Sequence, residues 1–208
     1  VTDYCTLAQV KTALRIPVED TRDDERIELA ISAATQAIED YCDRSLIAAG
    51  TAATTRIFTP DSDRICTIDD LGSITDLVIK TDGSGDATWD TTWTATDYQL
   101  EPVTNRRGQQ SLPYTRIRAI GDFLFPLLPS RQYPGQATVQ VTGRWGWPTQ
   151  PDVVTKAAVL QSVRFFKRDE APFGVTGFGD VGVMRITRSL DPDVQAHLDP
   201  FRRVEGYA

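Results

Sequence analysis

The chain has 208 residues, 40% hydrophobic and 25% charged, with a formal net charge of −7. That length suffices for one domain with a real core or two small subdomains, and the composition is that of a soluble globular protein. The charge argues against general duplex-DNA binding, which needs Lys and Arg to neutralise phosphates, and no apolar run nears the roughly 20 residues that span a bilayer.

The opening Val1-Thr2-Asp3-Tyr4-Cys5 lacks the basic and apolar regions of a signal peptide, so we expect a chain made in a cytoplasm or assembled into a particle there. Cys5, Cys42 and Cys66 are odd in number and far apart, with no Cys/His spacing for zinc. They read as reduced, buried thiols.

Thr6-Leu7-Ala8-Gln9 has the form of a capping box. Leu7, Val10, Ala13 and Leu14 follow on one helical face, and Pro17 ends the helix. Thr21-Arg22-Asp23-Asp24 opens a second helix with acidic residues where the dipole favours them. Ile27, Ile31, Ala34, Ile38 and Tyr41 recur at spacings of four and three, one apolar stripe for a core.

From Thr51 to Trp147 β-branched and aromatic residues dominate, punctuated by Gly, Pro and Asp. Short strands are predicted at Thr54–Phe58, Ile65–Ile68, Ile74–Lys80, Thr88–Thr92, Tyr98–Glu101, Thr115–Ile120 and Ala137–Thr142. Asp82-Gly83-Ser84-Gly85-Asp86 supplies hairpin-turn residues. Asn105–Gln110 is a polar, basic loop, and the prolines in Phe123–Pro129 rule out a central strand there.

A third helix is predicted from Pro151 to about Arg168, with Lys167 and Arg168 complementing its dipole. Val153, Ala157, Leu160 and Phe166 form one side; Val154, Ala158, Val163 and Phe165 widen it. A glycine-rich loop, a strand at Val181–Arg188 and a short helix at Asp193–Leu198, broken by Pro200, complete the chain. The fold class is α+β: a small helical bundle (residues 1–50 and 148–208) with an inserted antiparallel sheet or barrel (51–147).

The chemistry-bearing residues read better as structure. His197 is the only histidine and has no triad partners nearby in sequence. Asp82, Ser84 and Asp86 alternate like calcium ligands, but the sixth and twelfth loop positions hold Ala87 and Trp93 instead of Gly and Glu. Asp61, Asp63, Asp69 and Asp70 read as a solvated loop. Gly174–Gly179 lacks the Gly-Lys-Ser/Thr of a phosphate loop. Arg106, Arg107, Arg116 and Arg118, near Tyr114, offer a basic patch for single-stranded nucleic acid, but the net negative charge favours ordinary strand-face arginines or contacts to an acidic partner. No catalytic, cofactor or metal residue is assigned.

The strongest remaining signal is apolar surface on irregular segments: Phe123–Pro129, Trp145–Pro148 and Pro172–Phe178. Each either straps the core or buries against another chain. The glycines of the third favour an interface.

Three features of the chain, in this order, resemble the tailed-phage head-tail connector (adaptor) proteins. They are Tyr4–Lys11 with Ile27–Arg44, then Val141–Pro148, and lastly Arg164–Gly174 with Gly177-Phe178-Gly179, the last similar to actinobacteriophage members. The resemblance implies a non-enzymatic virion protein of the neck between capsid and tail, without cofactors. Its copies would form a ring, commonly twelvefold, joining the portal to a stopper or tail-completion protein, with DNA only as passing cargo and no membrane. A stopper or tail-completion protein is the alternative role, and a small metal-dependent enzyme the remote one. Candidate partner or oligomer contacts are Phe123, Phe125, Trp147, Phe173, Val175, Phe178, Phe201, Arg202, Arg203 and Tyr207.

Overall fold

The computed structural model describes residues 2–104, 106–108, 110–127, 136–169, 175–176, 184–185 and 190–203. The chain divides into two compact units: Val1–Leu46 with Gln150–Ala208, and Ile47–Thr149.

In the first unit, Thr6 caps helix α1 (Leu7–Leu14) through the full capping box with Gln9, an arrangement worth about 1 kcal/mol. The buried face is not quite the expected one. Val10 is buried and Leu7 and Leu14 are half-buried, but Ala13 is exposed and Lys11 is buried instead. The Lys11 ammonium donates to the Val18 and Asp20 carbonyls (3.0 and 2.8 Å) and pairs with Asp24 at 2.5 Å. Two carbonyls accept from the ammonium and the Asp24 carboxylate balances its charge, which is what permits burial.

Helix α2 (Asp24–Cys42) buries Ile27, Ala30, Ile31, Ala34, Thr35, Ile38 and Cys42: the predicted stripe with Ala30 and Thr35 added, and with Cys42 buried in place of Tyr41, which is only half-buried. Tyr4 ties the N-terminus to it. Its hydroxyl donates to Glu39 and accepts the Leu46 N–H, and its backbone N–H donates to the Thr35 hydroxyl. Burial pushes the Tyr4 phenol well above its ordinary range.

Helix α3 (Asp152–Asp169) presents Val154, Ala157, Ala158, Gln161, Ser162 and Phe166 to the interior. This face is rotated from the one read through Val153 and Leu160, and Leu160 lies exposed. The cause is two polar side chains with internal partners. Ser162 Oγ donates back to the Ala158 carbonyl, and Gln161 Oε1 accepts the Asp191 N–H. Asp191 caps helix α4 (Pro192–Leu198) and pairs with Arg164, so α3 fixes where α4 begins. A short helical turn, Asp199–Phe201, follows. Val175–Thr176 pairs antiparallel with Met184–Arg185; the rest of the predicted strand at Val181–Arg188 lies outside the described residues.

The second unit holds β1 (Thr54–Phe58), β2 (Ile65–Thr81), β3 (Thr91–Trp93), β4 (Tyr98–Glu101), β5 (Arg106–Arg107), β6 (Gln110–Ser111), β7 (Tyr114–Ala119) and β8 (Val139–Trp145). The main sheet runs β1-β8-β2-β7-β4, with β3 beside β2; every pairing is antiparallel. The expected strands at Ile65–Ile68 and Ile74–Lys80 are one element. β2 bends through irregularities at Leu71–Ser73 and Ser73–Val78, pairing β7 with its first part and β3 and β8 with its second. The polar loop at Asn105–Gln110 contains the small β5–β6 hairpin. Cys66, Ile68, Leu71, Ile79, Trp93, Ile117, Ala119, Phe125, Val139 and Val141 form this unit's core.

Two glycines allow a backbone crossing that side chains would block. A Cβ on Gly72 would lie 2.7 Å from the Gly146 carbonyl, and Gly146 itself has φ +126 with the Ile47 carbonyl 2.8 Å from its would-be Cβ. Across this crossing Trp147 N–H donates to Ile47 O and Ala49 N–H to Trp147 O.

All three cysteines are free and buried. Burial pushes Cys42 up to about 11 and Cys66 up to about 12, and raises Cys5. Because the folded state holds these thiols neutral, their contribution is whole below the ordinary thiol range (about 8.5) and fades as pH rises through 11–12. At pH 8 a thiol reagent is expected to label no cysteine in the native protein and all three in denaturant. Rapid labelling of the native protein would contradict the packing described.

Candidate assembly surfaces

At the end of α2 the helix leaves carbonyls without intrahelical partners. The Arg203 N–H fills one of them, donating to Cys42 O at 2.8 Å. Tyr41 donates its hydroxyl to Asp199 Oδ1 at 2.5 Å, and the Arg202 guanidinium sits 5.0 Å above the Tyr41 ring. The bond to Asp199, more than burial or charge, raises the Tyr41 phenol's pKa. The C-terminal segment is thus held on α2 by Asp199, Arg202 and Arg203. Phe201 is buried, so this expected contact residue is corrected to an anchor: its ring is spent inside the subunit. Arg202 and Arg203 remain exposed. Tyr207 lies outside the described residues.

The segment from Gly121 to Leu127 straps the core with one side chain and leaves three others exposed. Phe125 is 2% exposed and stacks on Trp93 at 4.6 Å. Its N–H donates to Asp63 O, Arg64 Nη1 donates to the Gly121 and Phe123 carbonyls, and Thr138 donates to Pro126 O. Phe125 is therefore corrected from contact to core. Phe123, Leu124 and Leu127 stay exposed on the same strap, Phe123 edge-on to Trp93 at 5.4 Å. Trp147, also 2% exposed, is likewise corrected: it has almost no surface to offer a partner. Of the third apolar segment, Phe173 and Phe178 lie outside the described residues, and Val175 is placed in its two-residue strand.

Asp82 and Asp61 serve turns, whereas Asp69 and Asp70 lie on β2 and not in the expected solvated loop. Asp82 accepts the N–H groups of Ser84, Gly85 and Ala87 and the Ser84 hydroxyl, closing the hairpin tip. Asp61 accepts the Thr67 N–H, while Asp69 pairs with Arg56 at 2.6 Å. Arg118 pairs with Glu101; Arg116 and Arg118 face outward from β7 while Ile117 and Ala119 enter the core. His197 closes α4 in its last turn. Among the described residues no group of three His, Cys, Asp or Glu side chains is placed to hold a metal.

These turns make stability acid-sensitive. The Arg22 side chain, aided by its backbone N–H, holds Asp20 down to about 2. Burial pushes Asp82 up, but the N–H donors of Gly85 and Ala87 and both donors of Ser84 outweigh it and hold it low. The Ser84 hydroxyl lowers Asp86, and the Thr94 N–H lowers Asp97. A depressed carboxylate stabilises the fold above its unfolded value and loses that contribution as pH falls through its folded one. The urea midpoint is expected to hold from pH 7 to about pH 4, then fall toward pH 2. Asp82→Asn, at the tip where four donors converge, should flatten that fall; an unchanged acid limb would remove Asp82 from the account.

The chain is similar to a protein in the neck of an empty gene transfer agent particle computed with C6 symmetry, at 18% identity and a TM-score of 0.56, covering 98% of this chain and 92% of that one. It is similar also to one in the neck of the native particle computed with C12 symmetry, at 17% identity and 0.51, covering 100% and 95%. At such identities the likeness is one of fold. The family comparison is narrower and sharper: residues 4–81 match the family of phage gp6-like head-tail connector proteins. That stretch spans α1, α2, β1 and β2, and it bears out the head-tail connector resemblance carried by Tyr4–Lys11 and Ile27–Arg44. The actinobacteriophage likeness at Arg164–Gly179 lies outside it. No curated protein matches the chain.

Proposed function

We propose that this chain is the subunit of a head-to-tail connector ring in a virion neck, binding the portal on one side and a stopper or tail-completion protein on the other. One observation carries the reading: the connector family's sequence match at residues 4–81 sits within a chain whose fold, end to end, is that of neck proteins. The role is structural. A net charge of −7 suits a wall past which DNA slides without being held. Twelvefold closure and assembly in the host cytoplasm complete the proposal.

The contact surface we assign to partners is the exposed part of the strap (Phe123, with Leu124 and Leu127), the Arg202–Arg203 exit of the C-terminus with Tyr207, and the Phe173–Asp180 loop with Val175 and Phe178. Light-scattering mass of the purified chain, alone and with the portal of the same phage, tests the role. A ring, or a monomer that joins portal stoichiometrically, supports it. A monomer that binds only the tail side would make the chain a stopper. Indifference to both, with metal-dependent thermal stabilisation, would turn attention to the enzyme reading. Deleting Phe173–Asp180 is expected to abolish portal attachment, and undiminished attachment would remove that loop from the interface.

A further inference from the structure

The main sheet is open at both ends. β1 closes the strand order on one side and β4 on the other, and among the described residues no strand pairs with the outer edge of either. Open edges present unpaired N–H and C=O groups, and proteins usually blunt them with Lys, Pro, bulges or a covering element. Among the described residues β1 carries no Lys, Pro or bulge, and no strand covers its outer edge. Its sequence is Thr54-Thr55-Arg56-Ile57-Phe58; the first four residues are exposed and Ile57 is 55% exposed. Its pairing with β8 is regular over all five residues. The one charge on it guards nothing. Arg56 turns back across its own sheet, pairing with Asp69 on β2 and lying 4.7 Å above the Trp145 ring on β8.

We infer that the β1 edge is a subunit-joining site: in the ring it pairs in parallel with the β4 edge of the adjacent copy, so that the sheet continues from subunit to subunit. The inference rests on the ring reading above. The geometry selects this occupant in two steps. A closed ring needs two different, mutually complementary surfaces on each subunit, and one sheet's two free edges supply such a pair through backbone groups alone. The four pairings along the path are all antiparallel, so β1 and β4 point the same way. Rotation by one subunit of a twelvefold ring, about 30°, preserves that direction and makes the joint parallel. Pairing β1 with β1 would instead be antiparallel and stop at two copies.

Hydrogen exchange read by mass spectrometry on the full chain, as subunit and as assembled ring, tests this. Peptides covering β1 and β4 should both exchange at least tenfold more slowly in the ring. Ile57→Lys, a natural edge guard at an exposed position, should cut ring yield at least tenfold while leaving the subunit's melting unchanged. A ring in which β1 exchanges as fast as in the subunit overturns the inference and leaves the adaptor role standing. So does protection of β1 without β4, which would mean another occupant. Failure to form any ring, alone or on the portal, removes the adaptor reading and this inference with it.

Discussion

Replacing Lys11 with methionine is expected to destabilise the helical unit by about 3 kcal/mol, although the side chain keeps its length and loses only its ammonium. Lys11 is 1% exposed. Its three partners are the Val18 and Asp20 carbonyls and the Asp24 carboxylate, all in the connection between α1 and the first turn of α2. Breaking a buried pair from one side costs roughly 3–5 kcal/mol, because the remaining groups keep their desolvation penalty and lose their partner. Asp24 is 24% exposed in its side chain, so water recovers part of the loss and the low end of the range applies. Lys11→Arg should not restore stability, since a planar, wider guanidinium does not fit the ammonium's place between two carbonyls and a carboxylate. Urea unfolding followed by circular dichroism checks this. A midpoint within error of the parent would mean that water replaces the ammonium and that the turn holds without it.

Lys11 also shows what sequence reading misses. Periodicity assigns apolar residues to a face, and it placed Ala13 with the core and passed over Lys11. The carbonyls that accept from Lys11 belong to a turn whose geometry no spacing rule contains. The same failure recurs in α3. Counting apolar residues put Leu160 inward, whereas Gln161 and Ser162 occupy the interior because Asp191 and Ala158 satisfy them. Elements whose signal is local were legible. The Thr6–Gln9 capping box, the α2 stripe and the Asp82 turn all lie within a few residues of their causes. β2 was read as two strands, Ile65–Ile68 and Ile74–Lys80, and only the partners on either side make it continuous.

The candidate surfaces divide along the same line. Composition marked Phe123–Pro129 and Trp145–Pro148 as apolar and irregular, and could go no further than strap or interface. Which ring turns inward depends on a hydrogen bond from Phe125 N–H to Asp63, 62 residues away in sequence. The open β1 edge left no mark at all. A strand at the end of a sheet and one in its middle can share a sequence, and only the strand order separates them.

Trp93→Ala is expected to cost the sheet unit about 4 kcal/mol, within the range for removing a buried aromatic side chain. The indole is 5% exposed, stacks on Phe125 at 4.6 Å, meets Phe123 edge-on at 5.4 Å, and donates to the Thr81 hydroxyl at 3.1 Å. Aromatic pairs of this kind add about 0.5–1.5 kcal/mol beyond area burial, and Thr81, 3% exposed, would lose its donor. The effect should reach the strap, because Phe125 stacks on this ring inside the core. Released, Phe125 would join Phe123, Leu124 and Leu127 on one apolar surface. The variant should therefore bind an apolar dye such as ANS before its main unfolding transition, and Phe125→Ala should produce less dye binding for a similar loss of stability. Equal dye binding by the two variants would place the exposed surface elsewhere and detach the strap from the Trp93 stack.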